Sequence, residues 1–322
     1  MSRFLIRRLI LAVVTIWIIV TLVFILYQVA PHDPAALRAG RAAAGNPAAL
    51  HQISVQLGLD KPVLSQYWDY LQRVVHFNFG KSNINELPVT RLITAAVPVD
   101  ISLAIGGAIL WTVLGVGVGI IAARHPRGLL DRLATFFVLT GVSVPTFVLG
   151  LLLLFFFYFL LTIHGVRIFP KPGSYTGITH NPLTWAHDLV LPWVTLALIT
   201  AATYARLTRS ALLETLGEDF VRTARAKGLT ERRVVYRHAL RSALIPLTTQ
   251  LGIDFATVLG GAIITETVFG LPGLGLTVVQ AIGRQDLPVV EGVVTLAAGF
   301  IVIANIFVDA LYASLDPRVR LQ

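Results

Sequence analysis

Three stretches carry side chains whose type and spacing could do chemistry. Gly80-Lys81-Ser82 has the glycine, lysine and hydroxyl that close a phosphate-binding loop. That loop also needs a glycine five residues before Gly80, to wrap backbone N–H groups around the phosphates, and Val75 stands there. The match is rejected, and no other segment supplies a phosphate-binding loop. Asp254 and Asp309 lie within apolar runs, where a carboxylate is costly and usually faces a protein interior or a wet cavity. Each is a candidate contact on a polar path, or a hydrogen bond between helices. The third stretch is Asp219-Phe-Val-Arg-Thr-Ala-Arg-Ala-Lys-Gly228, a short charged helix ending in glycine. The rest of the inventory is exclusion. There is no cysteine, so disulfides, thiolate metal sites and cysteine catalysis are absent. The eight histidines show no ligand spacing, so no metal site is expected. No activated serine, HExxH or carboxylate cluster supports an enzyme.

The elements that must position these residues are membrane spans. Of the 322 residues 55% are hydrophobic and only 13% charged, against about 25% charged in soluble domains. So little charge cannot coat a water-facing surface of this size. Arg3, Arg7 and Arg8 precede an apolar run over residues 9–30. That run is longer than the apolar core of a signal peptide and matches a bilayer crossing, so it reads as a retained first span. Five more runs of spanning length cover 97–123, 133–163, 189–205, 243–264 and 289–313. The third span, 133–163, is longer than a crossing needs, which is met by a tilt or by a break near Pro145. The fold class is therefore an all-α integral membrane protein with about six transmembrane helices. Its expected divisions are a first span at 1–30, a small extracytoplasmic subdomain at 31–96, a five-helix membrane domain at 97–313 and a tail at 314–322. Residues 63–77 of the subdomain have amphipathic helical spacing.

Most of the lysines and arginines fall in segments on the same side as the N-terminus, which the positive-inside bias places in the cytoplasm together with the C-terminus. The net charge of +9 is explained by this bias, and no nucleic-acid partner is expected. The longest inner segment is 206–241. Within it Asp219 reads as an N-cap, Arg225 and Lys227 suit the last turn, and Gly228 can take the left-handed conformation that stops a helix. Thr230 can cap a second helix through Arg232, Arg233 and Tyr236 towards Pro246. A helix this short is unstable alone, so it is expected to dock on something, and Ala224 and Ala226 are small enough to permit close approach.

The segment Arg222-Thr-Ala-Arg-Ala-Lys-Gly228 resembles the cytoplasmic signature of importer-type ABC transporter permeases, specifically the first permease of the oligopeptide/dipeptide/nickel family. Leu57-Gly-Leu-Asp-Lys-Pro62, Phe79-Gly-Lys-Ser82, Thr265-Glu-Thr-Val-Phe-Gly-Leu-Pro-Gly-Leu-Gly275 and Leu315-Asp-Pro-Arg318 are similar to that family in the same order. The resemblance implies an importer-type ABC transmembrane domain in a bacterial or archaeal cytoplasmic membrane. It implies a second homologous permease, two nucleotide-binding ATPase subunits that carry the ATP and Mg, and an extracytoplasmic binding protein, all embedded in or beside lipid. The chain itself would bind no cofactor and would not hydrolyse ATP. Coupling to the ATPases would fall to Asp219, Phe220, Arg222, Thr223, Ala224, Arg225, Lys227 and Gly228. Asp254, Glu266, Phe269 and Pro272 are the candidates for the path or an outer gate. Peptides are the expected cargo, with nickel chelates or another small organic ligand as the alternative within the family. A stand-alone secondary transporter is the reading outside it, and no internal repeat supports that.

Overall fold

A computed structural model describes residues 2–29, 47–57 and 60–315. It is built from helices, and among the described residues the only β-pairing is an isolated bridge between Lys81 and Pro88. The first helix, α1 (Ser2–Val29), is followed by α2 (Pro47–Leu57) and α3 (Val63–Val75). Next come α4 (Val89–Arg124), α5 (Leu129–Ser143), α6 (Thr146–Ile163) and α7 (Pro182–Leu216). The chain continues as α8 (Asp219–Ala226), α9 (Glu231–Ala243), α10 (Ile245–Leu259), α11 (Ile263–Phe269), α12 (Leu274–Gly283) and α13 (Leu287–Leu315). Asp309, residues 31–46 and 58–59 of the expected subdomain and residues 316–322 of the expected tail lie outside the side chains and residues described.

Five of these helices are long and apolar enough to cross a membrane: α1, α4, α6, α7 and α13. The helices α9 and α10 form a sixth path, bent by 52° between them. The expected break near Pro145 is present, with α5 ending at Ser143 and α6 restarting at Thr146. Proline has no N–H to continue the ladder, which is why the break falls there. Two helices run further than their apolar stretches indicated. The α4 helix begins eight residues early, at Val89 rather than 97. The α7 helix extends to Leu216, so the start of the 206–241 segment is helix rather than loop. Apolar composition marks the lipid-soluble part of a helix, whereas the backbone ladder continues past it until a cap or glycine intervenes.

The pair α4 and α7 forms the spine. Inside a bilayer helices associate by close packing rather than by expulsion of water. Gly115 and Gly119, one turn apart on α4, lie directly against Tyr204, Ala201, Thr208 and Ala205 of α7, and a methyl group on either glycine would collide with them. The small face anticipated on α4 is thus used within the chain at these two positions, while Gly117 faces open space. Trp193 of α7 donates its indole N–H to the Ser102 carbonyl of α4 at 2.9 Å. At one end of the spine Ile120, Ala123 and Leu212 form a core with α8 and α9. This is the basic end, carrying the arginines of 206–241. At the other end Val89, Ile93 and Ala96 pack with α12 and the start of α13.

Candidate functional site

Each end of the spine holds a cluster of the residues singled out by sequence. At the basic end α8 buries Val221 and Ala224, three residues apart and so on one face, against Ile120, Ala123, Leu212, Val234 and Val235. Arg225 reaches Glu231 with two hydrogen bonds, Nη2 to Oε1 at 2.7 Å and Nε to Oε2 at 3.1 Å. This fork clips α8 to the first turn of α9. The remaining face is exposed: Asp219, Phe220, Arg222, Thr223 and Lys227. Phe220 is 45% exposed although it is a large aromatic ring. The Asp219–Arg222 pair at 3.4 Å is a solvent-facing contact of little energetic weight.

The termini of α8 differ in how well they match expectation. Gly228 has φ +76°, its N–H bonds the Arg225 carbonyl, and the Leu229 N–H reaches back to Ala224. That is a complete Schellman stop, and no atom crowds the position, so backbone conformation alone demands glycine. The start is shifted by one residue. Glu218 occupies the N-cap position, with no side-chain cap, and Asp219 is the first helical residue. Thr230 does precede α9, but its side chain makes no cap bond either. Ala224 faces the chain's own core, so of the two small residues only Ala226 lies on the free side.

At the opposite end the Gly-rich stretch around 265–275 is a helical hairpin. The helices α11 and α12 meet at 82°, and at seven and ten residues each is too short to cross a bilayer. Glu266 is fully buried, and its Oε2 accepts the Leu276 N–H at 2.9 Å. Asp100 of α4, equally buried, accepts the Leu274 N–H at 2.9 Å. Two carboxyl groups thus take up the free N–H groups in the first turn of α12, where the helix dipole favours negative charge. The glycines explain themselves here, because a methyl group at Gly273 would occupy the space of the Glu266 carboxyl, and one at Gly275 would collide with the Ile263 backbone and then with that carboxyl. Asp100 and Glu266 lie against each other, and Asp100 Oδ1 and Glu266 Oε1 have no other partner. Phe269 is buried among Val99, Leu103, Leu189 and Trp193, and its carbonyl accepts from Gly173 N–H at 2.8 Å. Of the three hairpin candidates Glu266, Phe269 and Pro272, only Pro272 is exposed, at the tip.

Asp254 belongs to neither cluster. It accepts from Gln250, one turn earlier on α10, at 2.9 Å and faces the Tyr204 hydroxyl of α7. A cavity of about 550 Å³ lies between α4, α10 and α13, walled by Ile105, Thr248, Phe255 and Phe300 and almost without polar atoms. Sequence reasoning missed two polar fasteners. Arg209 of α7 forks onto Asp131 of α5 at 2.6 and 2.9 Å, and the Arg127 N–H adds a third bond. These contacts, Arg209 first, hold the Asp131 carboxyl below the usual carboxylate range. Ser82 and the Asn83 N–H both bond Asp286 just ahead of α13, which gives the rejected phosphate-loop look-alike a structural task. Among the described residues no group of three or more potential metal ligands occurs.

Two family models together cover almost the whole chain. Residues 115–321 match the inner membrane component of binding-protein-dependent transport systems, and residues 1–104 match the N-terminal part of the same component. The chain belongs to this family. Across 99% of its length it is 38% identical to a probable peptide ABC transporter permease of Sinorhizobium fredii, and the alignment covers 100% of that protein. It is 37% identical to the dipeptide transport system permease DppB of Escherichia coli K12, with 99% of both chains covered. The solved MetNI methionine ABC transporter, in an inward-facing form, shares the fold with a TM-score of 0.54 at 21% identity, over 70% of this chain and 97% of that one. Like its relatives, this permease is a multi-pass transport subunit of the inner membrane.

Proposed function

We propose that this permease forms the translocation path of an ATP-driven peptide importer and that α8 is the element through which separate ATPase subunits move it. The observation that carries the reading is the free face of α8. A charged, aromatic-bearing surface is held rigidly by Val221, Ala224 and the Arg225–Glu231 fork, yet among the described residues it stays exposed. The basic end then lies in the cytoplasm, together with both termini, in keeping with the arginine bias. ATP and Mg belong to two partner ATPases. A second homologous permease completes the path, and a binding protein delivers cargo at the end that holds the α11–α12 hairpin. Peptides are the cargo class because relatives aligned end to end are named as peptide and dipeptide permeases. The hairpin, with Glu266, Phe269 and Pro272, serves as the outer gate against α4. Closure of the ATPases rocks the spine between inward-open and outward-open states.

The test is purification of the tagged chain from its native membrane in mild detergent. Recovery of a second permease and nucleotide-binding subunits is expected, as is their loss from a Phe220→Asp variant that still inserts. A chain that purifies alone and moves peptides into liposomes without ATP would overturn the proposal.

A further inference from the structure

The amphipathic helix α3 has three faces rather than two. Tyr67, Tyr70, Leu71 and Val74 point at the spans. The Tyr67 hydroxyl meets Thr21 Oγ1 of α1 at 2.7 Å, and Phe24 of α1 packs on both tyrosine rings, at 5.1 and 5.5 Å between centroids. Tyr70 is buried beside Glu291 and Thr295 of α13. The polar face carries Ser65, Gln66, Asp69, Gln72 and Arg73, with Lys61 paired to Asp69 at 2.6 Å. Between these faces runs a third stripe, Leu64, Trp68 and Val75, exposed to 79%, 61% and 73%. Spacings of four and seven residues put these three on one line along the helix, about a quarter turn from the tyrosine face.

Nothing in the described chain covers this stripe, but the depth of α3 says what does. Thr21 and Phe24 belong to the apolar window Ile6–Leu26 of α1. Thr21 lies about 7–8 Å below the end of that window, at 1.5 Å per residue. The Tyr67 hydroxyl and the tyrosine rings are therefore level with the last turn and a half of that apolar window. Leu22, Ile25 and Leu26, at the same end of α1, are exposed side chains of a membrane-crossing helix, the kind of surface that lipid covers. The Leu64–Trp68–Val75 stripe continues that lipid-facing surface round the corner. Tryptophan is the side chain most at home at the headgroup level, and a short helix with an apolar stripe under a charged face is the form that lies in the interface plane.

We propose that α3 is an interfacial helix whose Leu64–Trp68–Val75 stripe is seated in the headgroup–acyl boundary of the bilayer, at the end of the permease opposite its basic segment. It braces the α1–α13 edge against the membrane and leaves the polar face of α3 to water. This goes beyond the import reading, since lipid contact depends on neither the cargo nor the ATPases.

The experiment places the photoreactive residue p-benzoylphenylalanine singly at 64, 68 and 75, and for comparison at 65, 69 and 72, in the full-length chain in living cells. The lipid-facing position Leu22 is the positive control. After irradiation the purified chain is examined by mass spectrometry for phospholipid adducts and by immunoblot for protein adducts. Positions 64, 68 and 75 should give phospholipid adducts at the level of position 22 and severalfold above positions 65, 69 and 72. Equal adduct yields along the helix would overturn the proposal. So would an absence of lipid adducts at 68 when position 22 gives them, and so would protein adducts dominating at 64, 68 and 75. That last outcome assigns the stripe to a protein partner instead. Failure of ATP-driven import leaves these readouts unchanged, so the two proposals fail separately.

Discussion

The two ends of the α4–α7 spine solve opposite problems. The α11–α12 hairpin is complete in itself: its charged groups are buried, its first-turn N–H groups are met by Asp100 and Glu266, and Phe269 is sunk into the spine. The α8 helix is incomplete. It is anchored from below by Val221 and Ala224, while Asp219, Phe220, Arg222 and Lys227 project from it as an exposed face among the described residues. Residue types alone suggest the reverse, because a Gly-Pro-rich segment reads as loose and a capped helix reads as settled. The difference teaches that burial and the bookkeeping of polar partners decide which segment is finished within its own chain.

Removing the acid that completes the hairpin has the largest expected effect. Glu266→Ala leaves the Leu276 N–H without its partner in a buried place and empties the space the carboxyl fills, and should cost about 2–4 kcal/mol. Glu266→Gln, whose amide can accept from Leu276 and donate to Asp100, should stay close to the parent. Thermal unfolding of the detergent-solubilised chain, followed by size exclusion, separates the two. If Glu266→Ala unfolds at the parent temperature, the hairpin is not held from within and the contrast collapses. Gly228→Val sharpens the other side. It forces a β-branched residue to φ +76°, a strain of about 1–2 kcal/mol with no steric contact to add to it. Stability should drop slightly while transport coupled to ATP hydrolysis is lost; a fully coupled Gly228→Val transporter would show that the stop of α8 carries no function.

The smallest effect is expected at the fastener between the two levels of the basic end. Asp131→Asn weakens the Arg209 fork, and because Arg209 is 37% exposed and screened by water the loss should be about 1 kcal/mol at neutral pH. The Asp131 carboxyl is held below its ordinary range, so its contribution is present at pH above about 4 and disappears as the pH falls through the lowered value. Unfolding curves of parent and variant should therefore differ at pH 6–8 and converge in strong acid, where both carry a neutral side chain.

Much of this was legible in the sequence wherever one residue type forces one local outcome. The break before Thr146 follows from a proline, and the end of α8 follows from a glycine that alone tolerates positive φ. The start of α8 was misplaced by one residue because Glu218 and Asp219 are adjacent acids with equal claim to the cap. The hairpin was hidden for another reason. Helices of seven and ten residues are too short to show a periodic pattern, and the glycines that signal a loop are there to make room for the Glu266 carboxyl. Asp100 stands in an apolar run just as Asp254 does, and nothing in its neighbourhood in the sequence marks it out. Its partner lies 174 positions away at Leu274, a pairing that only the folded chain brings together. The same holds for Asp131 and Arg209.

The length of the spine has a mechanical consequence. At 36 and 35 residues, α4 and α7 are each a rod of about 52–54 Å, joined by the glycine contacts at Gly115 and Gly119 and by the Trp193 bond. The core that seats α8 grips this double rod at one tip, through Ile120, Ala123 and Leu212. Asp100 and Phe269 fasten the hairpin near the other tip. A pair of rods locked in this way tilts as one lever. A tilt of about 5° about the middle moves each tip by about 2 Å in opposite senses over that length, so a push at one membrane surface arrives at the opposite surface as a displacement of equal size.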